Sequence, residues 1–291
     1  MTSLITTNPT PAGLRRAPIP PDNPGALKCQ CAALWSHPAA QLLLGPALRP
    51  GGAALTNRLL SGCGLRPGAV VVDVGCGPGA SLETISASGH RGIGVDYSPE
   101  LARAAAAAGA STVVGDAERL PISDGAVDAV VIECVLSALP DTPRAIHEAR
   151  RVLRPDGALI LTDMTLAAAF PEPLNTALAW VACAAGALSA AGYVDLLDAH
   201  GFTSTVTEDR TADLAAMIAR ARRRLALFRG AAGVGLLPPL EDFIGPELTA
   251  LAATVLGHSD LHEGARDNLA QVGDAVTGGA MGYVAIAATR R

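Results

Sequence analysis

Between Ala69 and Asp163 the chain alternates short β-branched runs with helix-forming stretches, and this rhythm restricts it to very few architectures. The first run, Ala69–Val74 (AVVVDV), ends in glycines and suits a strand buried on both faces. A helix is predicted near Ala80–Ala87, closed by Gly89, and then a second strand at Gly92–Asp96. Ser98-Pro99 supplies an N-cap and first-turn pair for an alanine-rich helix. Thr112–Gly115 and Ala129–Glu133 read as strands, and Thr142-Pro143 opens a helix to about Leu153. Pro155-Asp156-Gly157 then turns the chain into a fifth strand, Ala158–Asp163. Phe202–Thr207 and Gly282–Ala287 raise the count to seven. The prediction is an α/β fold on a doubly wound, mostly parallel seven-stranded sheet of Rossmann-like form.

The flanking regions read differently. Six prolines between Pro9 and Pro24 predict a disordered tail over residues 1–25. Residues 26–65 are expected to form short helices broken at Pro38, Gly45-Pro46 and Pro50-Gly51-Gly52. The main domain is placed at 66–291, with a helical insertion at about 209–280 covering the cleft before the last strand. Within the insertion, Leu214, Met217, Ile218, Ala221, Leu225 and Phe228 recur at helical spacing. Arg220 and Arg222–Arg224 on the same helix are read as a solvated face. Pro173–Val194 carries no charge and is long enough for a bilayer. Its Ala, Gly and Ser content drives insertion poorly, so a buried or cleft-lining helix is expected.

Composition excludes several classes. The net charge is −5, which gives no footprint for nucleic acid. Charged residues make up 17%, below the ~25% usual for soluble domains, as expected where a buried sheet dominates. The N-terminus shows no sustained apolar run like that of a signal peptide, so a cytoplasmic protein with reduced thiols is expected. Lysine occurs once, at Lys28, which is read with the many alanines as coding bias.

The chemistry concentrates at Asp73-Val74-Gly75-Cys76-Gly77-Pro78-Gly79. A strand entering glycines lets the backbone turn sharply and approach a ligand closely. Gly75, Gly77 and Ala80 also satisfy a dinucleotide fingerprint, so an NAD site stays open on this segment alone. Asp96, 17 residues after Gly79, would accept ribose hydroxyls in either case.

Asp73-x-Gly75-x-Gly77-x-Gly79 resembles motif I of class I S-adenosylmethionine (SAM) methyltransferases. Gly115-Asp116-Ala117 with Leu120-Pro121, Asp128–Ile132, and Leu153–Gly157 resemble that family's later segments, in order, from about Leu65 to Met164. The resemblance implies SAM as cofactor and a small-molecule methyl acceptor, with no nucleic-acid or membrane partner. It also implies backbone around Gly75–Gly79 at the methionine end, including Cys76. Asp96 would hold the ribose and Asp116 the adenine amino group, with Tyr97, Ala117 and Glu133 as further cofactor-binding residues. Asp73 would support the loop or reach the methionine ammonium. Methyl transfer needs no metal ion: a lone pair attacks the sulfonium methyl in line, and the protein contributes alignment and a closed site.

The six cysteines stand at 29, 31, 63, 76, 134 and 183. Cys76, Glu133-Cys134-Val135 and Cys183–Leu188 are similar in order and spacing to segments of arsenite methyltransferases. Cys31–Trp35, Leu43–Gly45 and Pro50–Gly52 resemble a related group of uncharacterised bacterial methyltransferases. The chain departs from the arsenite enzymes at Glu133, often Asn there, and lacks a clear match to their C-terminal cysteines. Thiolates bind soft centres such as trivalent arsenic, which makes Cys76, Cys134 and Cys183 candidate catalytic thiols, with Cys29 and Cys31 as further ligands. In an extended chain Cys29 and Cys31 would face one side. Buried cysteine is equally at home as a small hydrophobe, and Cys63 is read that way. Methyl transfer to an ordinary O, N or C acceptor, and a non-catalytic SAM or metalloid regulator, are the alternatives.

Overall fold

The computed structural model describes residues 24–36, 38–45, 47–168, 183–233 and 261–291. The predicted disordered tail therefore lies almost wholly outside the described residues, as does most of Pro173–Val194.

Seven strands form one sheet: β1 (Val70–Val74), β2 (Arg91–Asp96), β3 (Ser111–Val114), β4 (Val127–Glu133), β5 (Leu153–Leu166), β6 (Phe202–Asp209) and β7 (Met281–Arg290). Their order is β3-β2-β1-β4-β5-β7-β6, parallel except that β7 runs antiparallel to both its neighbours. The apolar runs of the central strands are continuous because both faces are covered. Val72, Val74, Val130, Ile132, Leu159 and Leu161 point to one side, while Val71, Val131 and Ile160 point to the other. Each such side chain stabilises the fold by about 1.5–3 kcal/mol relative to exposure.

Helices α6 (Thr142–Val152) and α7 (Ala190–Ala199) cover the first face through Ile146, Ala149, Tyr193 and Leu197. The second face is covered by α3 (Gly52–Gly62), α4 (Ala80–Ala87) and α8 (Thr211–Gly233), through Leu59, Leu60, Ile85 and Leu214. Helix α5 (Pro99–Ala107) follows β2, and α9 (Leu261–Thr277) packs on α8 before β7. Two further helices, α1 (Pro24–Ser36) and α2 (Pro38–Leu44), precede the domain, so the helical segment begins two residues earlier than predicted. Among the described residues no helix is long and apolar enough to cross a membrane.

The local signals act as predicted at the caps. Ser98 accepts from the Leu101 amide at 3.2 Å with Pro99 in the first turn, and Asp141 accepts from the Arg144 amide at 3.0 Å. At Pro155-Asp156-Gly157 the outcome differs. The β4–β5 pairing jumps from Val127–Leu153 to Ala129–Ala158, so these residues bulge out of a strand already begun. Asp156 takes the left-handed conformation there, with φ 61°. The Cys183–Leu188 segment is not helical: Leu188 bridges Thr165, and Ser189 caps the helix that starts at Ala190.

Candidate cofactor and acceptor cleft

The strand order reverses between β1 and β4, and a cavity opens beyond the carboxyl ends of these strands. Its floor is the turn leaving β1. The Gly75 and Cys76 amides both donate to the Val95 carbonyl, at 2.7 and 3.2 Å. Gly75 has φ 72°, and a Cβ there would stand 2.4 Å from Val135 Cγ2. Only glycine meets both demands. Gly77 also has positive φ, but a Cβ at this position would meet nothing within 4 Å, so its backbone borders open space. Gly79 caps α4 at φ 98°.

Asp96, at the end of β2, is 8% exposed. Its two oxygens accept from the Gly77 and Ser98 amides, each at 2.8 Å. Burial raises its carboxyl above the ordinary range, against the pull of those two bonds. Asp73 is more deeply enclosed at 2% exposure, and its Oδ2 has no hydrogen-bond partner. Burial, then the charge of Glu133, holds this carboxyl well above its ordinary value, with Arg49 and a Ser81 hydrogen bond opposing and Asp96 adding to the rise.

Glu133 ends β4 inside a buried network. Thr56 donates to it at 3.0 Å, Ser81 donates at 2.8 Å, and Arg49 Nη2 donates to Thr56 at 2.7 Å. Arg49 Nε stands 2.9 Å from Glu133 Oε2, yet its N–H has no acceptor in line. The preceding residue, Leu48, is held at φ 54°, a conformation non-glycine residues seldom adopt.

The roof comes from the N-terminal helices. Lys28 donates to both oxygens of Asp116 at 2.8 Å and to Glu118 at 2.7 Å, and its ammonium lies 5.9 Å from the centre of the Tyr97 ring. The sole lysine, read from composition as coding bias, thus ties α1 to the Asp116 end of the cleft. The Asp116 carboxylate expected to face adenine is already paired with it. Ala117 and half-exposed Tyr97 line the same end.

Of the candidate thiols, Cys134 and Cys183 meet, Cys31 stands within charge-interaction range of Cys183, and Cys31, Cys76 and Cys134 line the cavity. Cys134 has φ 56° and Cys183 has φ 61°, and Cys183 Sγ donates to the Cys134 carbonyl at 3.5 Å. Cys134 Sγ lies 3.2 Å from Tyr283 Oη, which donates to Thr162 at 2.8 Å. Next to them buried Asp163 accepts from the Ser137 amide at 3.0 Å and from the Ser137 hydroxyl. Burial, then Asp163, raises both thiols above the ordinary range, and burial pushes Cys31 up to about 12. All three are therefore protonated at neutral pH.

Cys76 packs against Gly94, where a Cβ would meet its Sγ at 2.6 Å, and it joins the core cluster on that face. Cys63 donates to the Leu59 carbonyl at 3.2 Å, as a structural thiol would. Cys29 and Cys31 do not face one side, because α1 is a helix and residues two apart point nearly opposite ways. Cys29 is exposed, while Cys31 lines the cavity. Among the described residues no three His, Cys, Asp or Glu side chains converge to hold a metal ion.

Lys28, Arg49, Thr56, Ser81 and Tyr283 escaped the sequence reading. The uniqueness of Lys28 was a usable signal. For Arg49 only the Pro50-Gly51-Gly52 turn marked a loop, with nothing to show which way the side chain points.

Residues 72–161 match the family described as a methyltransferase domain. An arsenite methyltransferase from Halobacterium salinarum is 31% identical over 160 residues, 48% of this chain and 41% of that protein. A demethylmenaquinone methyltransferase from Mycolicibacterium paratuberculosis is 36% identical over 121 residues, 42% of this chain and 50% of that one. The chain thus spans half or less of the length of these curated relatives. Among solved structures, the 4+2 cyclase SpnF superposes with TM-score 0.69 at 20% identity, covering 94% of this chain and 98% of that one. Haemonchus contortus phosphoethanolamine N-methyltransferase 2, solved with S-adenosylhomocysteine, gives TM-score 0.68 at 16% identity, covering 87% and 56%. Residues 72–161 thus resemble a methyltransferase domain, and the chain has the Rossmann-like fold of these solved structures.

Proposed function

We propose that this chain transfers the methyl group of SAM to a small-molecule acceptor. The observation that carries the reading is the coincidence, in one cleft, of the open backbone at Gly77, the unpartnered Asp73 Oδ2 and the acidic end of β2 at Asp96. An acceptor oxygen buried without a donor costs about 1–3 kcal/mol, and a ligand ammonium would relieve that cost. The residues present therefore fit the cofactor. Asp73 would take the ammonium, the Gly75–Gly79 backbone the methionine chain, and the remaining lone pairs of Asp96 the ribose hydroxyls. Tyr97, Asp116 and Ala117 would border the adenine, with Asp116 oriented by Lys28.

When bound, SAM supplies an electrophilic methyl on a sulfonium centre. The chain's own contribution is alignment and exclusion of water by the apolar wall of Trp35, Leu48, Val135 and Leu139. Calorimetric titration with SAM and with NAD tests the cofactor. Submicromolar to micromolar binding of SAM alone is expected on the scale of enzyme cofactors, about −8 kcal/mol or tighter. Binding of NAD alone would discard the reading.

A thiophilic acceptor such as arsenite is the second reading, favoured by two contacting cysteines that both hold positive φ. Strain of this kind costs about 1–3 kcal/mol per residue and collects at functional sites. Against it, both thiols are protonated, and among the described residues no three His, Cys, Asp or Glu side chains converge to hold a metal ion. SAM-dependent methylation of As(III) that collapses in Cys134→Ser and Cys183→Ser supports thiol capture. Undiminished methylation in both variants discards it and leaves an ordinary O, N or C acceptor. Tight SAM binding without turnover on any acceptor points instead to a regulator.

A further inference from the structure

A second cavity, of about 470 Å³, lies at the opposite end of the sheet from the cleft, where β4 and β5 begin and β7 ends. Its size falls within the ~300–1,000 Å³ usual for small-molecule sites. His147, Arg150 and Arg151 reach it from α6, Arg290 from the end of β7, Asp124 from the loop before β4 and Pro155 from the bulge in β5. Arg151 is fully engaged: it pairs with Asp124 at 2.6 Å and Glu148 at 2.7 Å and donates to the Leu120 and Ile122 carbonyls. Arg150 and Arg290 are not. Among the described residues no side-chain carboxylate pairs with either. Arg150 donates to the Arg291 main-chain oxygen at 3.3 Å, and Arg290 to the Leu153 carbonyl. Arg290 Nε–H is also enclosed without an acceptor. A Cβ on Gly201 would stand 2.7 Å from Arg150 Nε, so the place of this guanidinium depends on that glycine. Basic residues in the last turn of a helix commonly offset its dipole, which accounts for Arg150 and Arg151. It does not account for Arg290, which the last strand delivers.

Two guanidinium groups on one concave surface, with no side-chain counter-charge, repel each other until an anion joins them. We infer that this cavity is a second ligand site, in which Arg150 and Arg290 bind a phosphate dianion, free or carried on a small molecule. Charge decides the class. A carboxylate would balance one of the two guanidinium groups, whereas a phosphate monoester carries about −1.5 to −2 at neutral pH and balances both. The planar guanidinium fork also matches phosphate oxygens in pairs. Asp124 is the one acid on the wall. Its side chain is 82% exposed and already held by Arg151, which leaves the interior to the cations. SAM carries no phosphate, and its proposed cleft opens beyond the other ends of the strands, so the two ligands do not compete. The inference stands whether or not the chain binds SAM. A bound phosphate would link α6 to the end of β7 and stabilise the folded chain by mass action.

The test is calorimetric titration of the full chain with inorganic phosphate, glucose 6-phosphate and acetate at matched ionic strength. Both phosphates are expected to bind the wild type at least about tenfold more tightly than acetate. Tighter binding of glucose 6-phosphate assigns the site to a phosphate ester, and equal binding assigns it to the free ion. Arg150→Gln and Arg290→Gln should each weaken phosphate about tenfold or more, since each removes a charge-assisted contact. Arg103→Gln, an exposed arginine on α5, should change nothing and controls for the general field of the protein. Should either cavity variant fail to fold, Asp124→Asn at the exposed rim carries the test: it removes the one acid on the wall and should tighten phosphate about threefold. The site is overturned by the absence of phosphate binding at about 10 mM, by acetate binding as tightly as phosphate, or by an equal loss in Arg103→Gln. Asp124→Asn that leaves phosphate binding unchanged or weaker overturns it too.

Discussion

Asp73 and Arg49 face the same cavity, yet they arrive there by different means. Asp73 sits within β1, paired in register with Gly94 on one side and Val131 on the other. Arg49 hangs from the connection between α2 and α3, held by one carbonyl, one threonine hydroxyl and an ion pair with Glu133. The floor of the cleft is thus a consequence of strand pairing and glycine geometry, and lies within the matched methyltransferase domain. The cover, built from Lys28, Cys31, Trp35 and Arg49, is a consequence of long-range docking and lies before it. Floors of this kind are set by backbone rules that tolerate few residues, whereas a cover can be rebuilt from many sequences to suit an acceptor.

The largest expected effect strikes the floor. Gly75→Ala would place a methyl 2.4 Å from Val135 Cγ2 on a backbone at φ 72°. Steric overlap and the positive φ together are expected to cost about 2–4 kcal/mol of stability and to abolish SAM binding. Urea denaturation reads the first and titration the second. A loss under about 0.5 kcal/mol would mean that the floor is no more constrained than the cover.

Asp73→Asn separates binding from stability. Burial raises the folded carboxyl well above the ordinary 3.8, so the folded state holds its proton while the unfolded state releases it. This group's contribution therefore favours folding at low pH and is lost as pH rises from about 4 through the folded value. Asparagine removes that loss. Thermal melts should show the variant gaining on the wild type from pH 5 to 8, while SAM affinity falls about tenfold with the ammonium contact. A variant less stable than wild type at pH 8 would show Asp73 to be satisfied in the free protein.

Cys76→Ala tests the thiols against plain packing. Its sulfur fills space beside Gly94 and Leu82, so about 1 kcal/mol of stability should be lost. Methyl-transfer rates measured at saturating SAM should stay unchanged, and a collapse in turnover would return Cys76 to the chemistry.

The smallest effect belongs to the cover. Lys28 is 10% exposed and its partners Asp116 and Glu118 are 34% and 14% exposed, so the pairing is partly screened and worth under about 1 kcal/mol. Lys28→Met should barely move the melting point. It should weaken SAM binding a few-fold at low salt and abolish most of the wild type's salt dependence there, as titrations at two ionic strengths would read. Salt dependence that persists in the variant would take the latch out of the cofactor site.

Much was legible in the sequence because the interactions that decide it are short-range. The β-branched runs became strands, Ser98-Pro99 became a capped helix start, and the glycines after β1 made the sharp turn expected of them, at positive φ. Those outcomes follow from sterics and hydrogen bonding within a few residues. Three readings failed or fell short for the opposite reason. Whether Cys29 and Cys31 share a side depended on α1 being helical at their position. The Pro155-Asp156-Gly157 turn became a bulge because β4 was already pairing at Leu153. Lys28, read as compositional noise, found its partners 88 and 90 residues away.

By itself, then, the sequence determined the doubly wound sheet, the glycine floor and the acid at the end of β2. Only the tertiary structure decided that the sole lysine pairs with Asp116 and Glu118, that Cys134 and Cys183 touch while Cys76 packs against Gly94, and that Arg49 lines the same cavity as Asp73. The division has one physical cause. Backbone conformation is written in neighbouring residues, but the direction of a long side chain on a loop is set by whichever distant groups satisfy its charge.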